Sequence, residues 1–174
     1  MKPICVISCP IDTFSGYGAR SRDFVNALIK IKDKEWDIKI LPQRWGDCPW
    51  NFLPLDDPLR NRFVPNVPQQ PDIWFQITIP SEFQKVGKFS IGVTAGIEST
   101  CPPPDFVEGM NRMNLNLVSS NFTKQVFSEI RINQADNQGN VTKTIQLNKP
   151  IGVLFEGLDT GVYFKEPNKS NLLN

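Results

Sequence analysis

Residues 3–9, Pro-Ile-Cys-Val-Ile-Ser-Cys, followed after a short gap by residues 15–20, Ser-Gly-Tyr-Gly-Ala-Arg, decide the fold class of this chain. The first stretch is an apolar run of strand length and reads as a buried strand. From about residue 19 to residue 32, Phe24, Val25, Leu28, Ile29 and Ile31 recur at helical spacing and predict a helix with those residues on its inner face. Glycines where a strand hands over to a helix let the backbone approach a ligand closely, with the helix N-terminus aimed at any anion there. Two readings stand at this point: a phosphate- or nucleotide-facing turn, or a plain turn whose glycines only make the bend.

Outward from this unit the same alternation continues. Residues 36–41 (WDIKIL) alternate in character and predict a second strand nearer an edge. Residues 42–71 hold Trp45, Trp50, Phe52, Pro54, Pro58, Pro65 and Pro68, too many prolines for a central strand, with room for one short helix at 56–63. This stretch is either a packed surface connection or a loop that shapes a binding cleft. Four further strands are predicted at 72–79 (DIWFQITI), 89–94 (FSIGVT), 115–119 (LNLVS) and 150–155 (PIGVLF). Helices are predicted at 102–113, where prolines suit the first turn, and at 120–132. Ser120 or Asn121 caps the latter, with Phe122, Val126, Phe127 and Ile130 facing inward. Segments 130–133 and 141–147 predict a small hairpin around a polar turn.

The fold class that follows is α/β: a three-layer domain around a mostly parallel sheet of about six strands. In such folds ligands bind beyond the carboxyl ends of the strands. The loops to inspect are therefore 10–18, 79–83, 94–104, 119–123 and 156–159.

Composition narrows the chemistry. The chain has 174 residues and a net charge of +1, so no basic face points to nucleic acid or a membrane surface. Its apolar runs are far too short for a transmembrane segment, and its N-terminal run lacks a small-residue cleavage site. The four cysteines, Cys5, Cys9, Cys48 and Cys101, form no C-x-x-C pair, and the expected compartment is cytoplasmic. There is no histidine, which excludes Ser-His-Asp and Cys-His catalysis and histidine-ligated zinc. Any general base must be a carboxylate, or the chain does no acid–base work by itself. A dinucleotide fingerprint fails, because Ser21 stands at its third glycine and the second strand ends Ile40-Leu41-Pro42 without an acidic residue. No G-x-x-x-x-G-K-[ST] occurs either. Glu108 and Arg112, spaced i, i+4, are expected to pair on one helix face.

Several segments resemble one family. SGYGARSRDFVNALI (15–29) is similar to the Gly-rich loop and first helix of GT-B glycosyltransferases of the retaining, glycogen-synthase-like group. The stretch from Ile79 to Phe127, with its T-x-x-x-E, E-G-M-N-R and V-x-S elements, resembles a branch common in bacteriophages, large viruses and bacteria. PIGVLFEGLDTGVYF (150–164) resembles the crossing from the first to the second domain of such enzymes.

The resemblance implies two Rossmann-like domains facing across a cleft, the first on the acceptor side and the second binding a nucleotide-sugar donor. This chain would supply the first, at 1–155, with 156–174 as the crossover toward a donor-binding domain present in cis or in trans. Alone it would be folded but inactive. Gly16, Tyr17 and Gly18, with Arg20, would approach the donor diphosphate. Glu98 would be the catalytic carboxylate, orienting an acceptor hydroxyl or the transferred sugar where many relatives have a histidine. Thr94, Ser119, Ser120 and Asn121 would line the acceptor cleft, although helix capping accounts equally well for the last three. Glu156, Gly157 and Asp159 would form the hinge. No metal or other cofactor is implied beyond the nucleotide-sugar substrate, and the acceptor would be a carbohydrate or another hydroxyl compound. The alternative is a stand-alone carbohydrate- or partner-binding module without catalysis.

Overall fold

The computed structural model describes residues 2–164 apart from 68, 98, 158, 159 and 162. In chain order the first elements are β1 (Ile4–Cys9), α1 (Gly16–Lys32) and β2 (Asp37–Pro42). A proline-rich stretch with a short 3-10 helix at Pro58–Arg62 leads to β3 (Ile73–Ile77). After a 3-10 turn at Pro80–Glu82 come β4 (Phe89–Thr94), α2 (Pro104–Arg112), β5 (Leu115–Val118) and α3 (Asn121–Glu129). The hairpin β6 (Ile132–Ala135) and β7 (Val141–Ile145) precedes β8 (Ile151–Val153).

Six strands form one sheet in the order β2-β1-β3-β4-β5-β8, every pair parallel. The expected α/β architecture is thus present. β2 is an edge strand, as its alternating sequence predicted, although a bridge from Ile40 to Phe63 shields that edge.

A central parallel sheet must bury both faces, and two apolar clusters do so. On one face, α1 contributes Val25 and Leu28 against Cys5, Ile7 and Cys9 of β1, Ile38 and Ile40 of β2, and Phe75 and Ile77 of β3. Leu53 and Leu59 bring the proline-rich stretch into the same cluster. On the other face, Val107 and Met110 of α2 and Phe127 of α3 pack with Val6, Trp74 and Val118. The two strand cysteines behave as small apolar groups, and burial raises each thiol to about 12.

α2 sits unusually close to the loop after β3. A Cβ at Gly109 would lie 1.8 Å from the carbonyl oxygen of Pro80, so only glycine permits this approach. Arg112 strengthens the contact by donating to the carbonyls of Phe83 (2.6 Å) and Ser81 (2.7 Å). This corrects the expected Glu108–Arg112 bridge: Glu108 instead pairs with Lys143 of β7 at 2.7 Å. Two inner-face assignments are also corrected. Ile31 is 67% exposed in the last turn of α1, and Phe122 is 47% exposed in the first turn of α3.

At the amino edge of the sheet Asp72 fastens β1 to β3. Its carboxylate accepts from the N–H of Ile4 at 2.9 Å and from Lys88 at 2.7 Å. The hairpin lies between the end of α3 and the start of β8, hence also at the amino edge. Its Ile145 is buried against α2, while Asp136 closes the tip by accepting from the N–H groups of Gln138 (2.8 Å) and Asn140 (2.9 Å). Among the described residues no helix is long and apolar enough to cross a membrane.

Candidate functional site

The chain runs from β1 outward to β2, then crosses back to β3 on the other side of β1. In an open parallel sheet such a reversal leaves a crevice at the carboxyl ends of the two central strands. Here the crevice is bordered by residues 10–15 after β1, the start of α1, and the ends of β3 and β4.

The glycines at 16 and 18 do not form a loop before the helix; they are its first turn. Ser15 is the N-cap, with extended backbone, and its hydroxyl accepts from the N–H of Gly18 at 2.9 Å. The Ser15 hydroxyl is held in turn by Thr13 Oγ1 at 2.8 Å, and Thr13 Oγ1 donates to the carbonyl of Pro10. The helix starts three residues earlier than its apolar periodicity predicted, because a good cap offsets the poor helix propensity of glycine. No acidic residue lies in this first turn.

The two glycines have different tasks. A Cβ at Gly18 would lie 2.4 Å from the carbonyl oxygen of Thr13, so this residue is required for the close turn from β1. Gly16 has no atom within 4 Å of the corresponding position and faces open space. The N–H groups of Gly16 and Tyr17, at positions without an intrahelical acceptor, can meet an anion there.

Tyr17 reaches across the sheet edge. Its hydroxyl lies 3.0 Å from Thr94 Oγ1 at the end of β4 and accepts from the N–H of Ala95 at 3.1 Å. Its ring stacks on Trp45 of the proline-rich stretch, with centroids 4.1 Å apart. Tyr17 is therefore a strut between three segments, and Thr94, 1% exposed, is buried beneath it. Arg20, on the next turn of α1, forms an ion pair with Glu156, three residues beyond β8. Gly157 adjoins Glu156 and faces open space.

The acceptor-side candidates are partly occupied by local structure. Ser119 donates to the carbonyl of Ala95 at 2.6 Å, tying the end of β5 to the loop after β4. Ser120 is the N-cap of α3 and accepts from the N–H of Thr123 at 3.1 Å. Asn121 opens that helix and is exposed. The first turns of α1, with Gly16, Tyr17, Gly18 and Arg20, thus meet Thr94 at the end of β4, Ser119 after β5 and Glu156 after β8 at one edge of the sheet. Glu98 and Asp159 lie outside the described residues.

Sequence reasoning missed the group that fixes the crevice wall. Asp12, only 3% exposed, accepts from the N–H of Leu53 at 2.9 Å and pairs with Arg60 at 3.1 Å. Arg22 donates to the carbonyls of Ile11 (2.7 Å) and Thr13 (3.1 Å), and its guanidinium lies 3.5 Å from the centre of the Phe52 ring. Burial pulls the Arg22 pKa below the usual arginine value, partly opposed by Asp23 and Asp12. Phe52 and Phe14 meet edge to face at 5.1 Å, and both remain substantially exposed. The only local signal was an acid, Asp12, placed just past a buried strand; its partners are 41 and 48 residues away.

This arrangement offers backbone donors at a helix N-terminus, one adjacent arginine, and exposed aromatic rings on one wall. It suits an anion flanked by an apolar or sugar-like surface. Among the described residues no three of Cys, Asp or Glu converge as a metal-ligand set. Comparison with protein-family models, with curated proteins and with solved structures finds no match for this chain.

Proposed function

We propose that this chain is the acceptor-side half of a GT-B glycosyltransferase, working with a nucleotide-sugar donor and with retention at the transferred sugar. The observation that carries this reading is the first turn of α1, a capped helix N-terminus without an acidic residue, where Gly16 is exposed and Arg20 stands on the next turn. In the proposed enzyme the Gly16 and Tyr17 amides face the donor diphosphate across an interdomain cleft. They stabilise charge that develops on the departing nucleotide, and being preorganised they need no rearrangement to do so. Glu98 orients the acceptor hydroxyl from the loop after β4. The crossover from residue 156 leads to a donor-binding domain, supplied in cis or in trans.

A transfer assay with that second α/β domain, encoded in the same or a neighbouring reading frame, tests the reading. Glu98→Ala is expected to abolish transfer, a loss of at least about 100-fold, while the thermal unfolding midpoint stays unchanged. Near-normal turnover in Glu98→Ala refutes the assignment of that residue. Absence of any partner domain refutes the transferase reading.

The second reading is a carbohydrate-binding module without transfer, favoured by the exposed Phe14 and Phe52 rings on the crevice wall. Saccharide binding that Phe14→Ala abolishes, together with no transfer in any pairing, would select it.

A further inference from the structure

The two edges of the sheet are finished differently. At β2 the residues whose backbone points away from β1 are Ile38 and Ile40, and the carbonyls of both are engaged. That of Ile40 accepts from the N–H of Val64 at 2.8 Å, and that of Ile38 from Arg62 at 3.4 Å. Asp37 and Lys39 add charge along the same edge. At β8 the Pro150 carbonyl accepts from the N–H of Asn116 at 2.9 Å, and the Leu154 N–H donates to the carbonyl of Val118 at 2.8 Å. Bonding to one neighbour alternates along a parallel strand, so Ile151, Val153 and Phe155 turn their N–H and C=O groups outward. Among the described residues none of these groups meets a partner. No proline or charge interrupts residues 151–155, and Leu154 and Phe155 are 39% and 66% exposed.

We propose that the β8 edge is a self-recognition surface: a second copy of this chain adds its own β8 antiparallel across a two-fold axis at Val153, joining two six-stranded sheets into one. The sequence of the strand selects this occupant. With the axis at Val153, the outward groups of Val153 face those of the partner's Val153, and the groups of Ile151 face those of the partner's Phe155. Every outward N–H then meets a C=O. The exposed Phe155 ring falls opposite the half-buried Ile151 of the partner subunit, and Leu154 opposite the partner's Gly152, where no side chain competes for the space. Proline at 150 costs nothing here, because its backbone faces β5. No like charges are set against each other. The partner's Glu156 stands opposite Pro150, next to Lys149, so opposite charges meet at both ends of the ladder. This surface is separate from the α1 N-terminus and serves whether or not a diphosphate binds there.

Sedimentation velocity on the full chain, over about 1–200 μM, tests this. The wild type is expected to pass from a 19.7 kDa monomer to twice that mass, half-dimeric at about 10–100 μM for so short a ladder. Val153→Pro removes the outward N–H at the axis and leaves the bonds to β5 in place. Phe155→Lys sets a cation from each copy into the contact, at an exposed position that costs the fold little. Each variant is expected to weaken association at least about tenfold. Phe89→Lys, at a phenylalanine 45% exposed at the amino end of β4, controls for the change in charge and apolar surface and is expected to match the wild type. Amide exchange at Ile151, Val153 and Phe155 should slow as the wild-type concentration rises. A wild type that stays monomeric throughout overturns the proposal, including the case in which those amides are protected at every concentration because another segment covers the edge. Dimerisation that survives Phe155→Lys and Val153→Pro places the contact elsewhere and overturns it too, as does an equal loss in Phe89→Lys. Should Val153→Pro fail to fold, Phe155→Lys decides alone.

Discussion

At Gly18 a hydrogen atom stands where a methyl would lie 2.4 Å from a backbone oxygen, and two residues earlier Gly16 has empty space in the same direction. Opposite outcomes are expected for the same substitution. Gly18→Ala gains helix propensity but forces β1 and α1 apart, and should destabilise the fold by about 1–3 kcal/mol. Gly16→Ala meets no atom and should stabilise it by up to about 1 kcal/mol. Urea unfolding of the two variants measures both. Equal losses of stability at both positions would contradict the geometry.

At the scale of elements, the apolar runs predicted the sheet well, because a strand buried on both faces leaves a short uninterrupted signal. β4 was located to the residue, and the hairpin to within two. The start of α1 was not located, since two glycines concealed a helix whose cap, Ser15, was legible beside them. The partners of Glu108 and Arg112 were missed for a different reason: local spacing offered each to the other, and tertiary neighbours outbid it. The proline-rich stretch was left open between surface connection and cleft wall. In the structure it packs onto the domain through Trp45 on Tyr17 and through Leu53 and Arg60 on Asp12. Of the candidate site, the edge of the sheet was legible, whereas the buried carboxylate that fixes its wall was not. Asp12→Ala leaves the Leu53 N–H without its acceptor and Arg60 without its counter-ion, so it should cost about 2–4 kcal/mol. Arg60→Ala should cost at least as much, because it leaves the nearly buried Asp12 carboxylate without its counter-ion, whereas Asp12→Ala leaves a more exposed arginine that keeps the carbonyls of Leu53 and Pro54. A double-mutant cycle by chemical denaturation measures the coupling, and additive losses would show that the pair does not act as a unit.

Across the whole molecule, acid stability depends on carboxylates held at the periphery. Lys88, together with the N–H of Ile4, lowers the pKa of Asp72; Lys143 lowers that of Glu108; and the Asn140 N–H lowers that of Asp136. A carboxylate with a folded pKa below its unfolded value favours the fold at pH above the unfolded value. That contribution fades as pH falls through the folded value. Stability should therefore drop between about pH 5 and 2, and Asp72→Asn should flatten part of that slope without removing it. Thermal midpoints measured across this range would show it, and an unchanged slope in Asp72→Asn would place the acid sensitivity elsewhere.

The β6–β7 hairpin leaves the sheet at its amino edge, opposite the crevice, and its exposed tip is closed by its own aspartate. Gly139 at that tip holds a φ of +86° that a side chain would strain, whereas the neighbouring Asn137 is exposed. The tip is thus a natural handle: a place to tether the molecule to a surface, or to attach a dye, with the carboxyl ends of the strands turned toward solution.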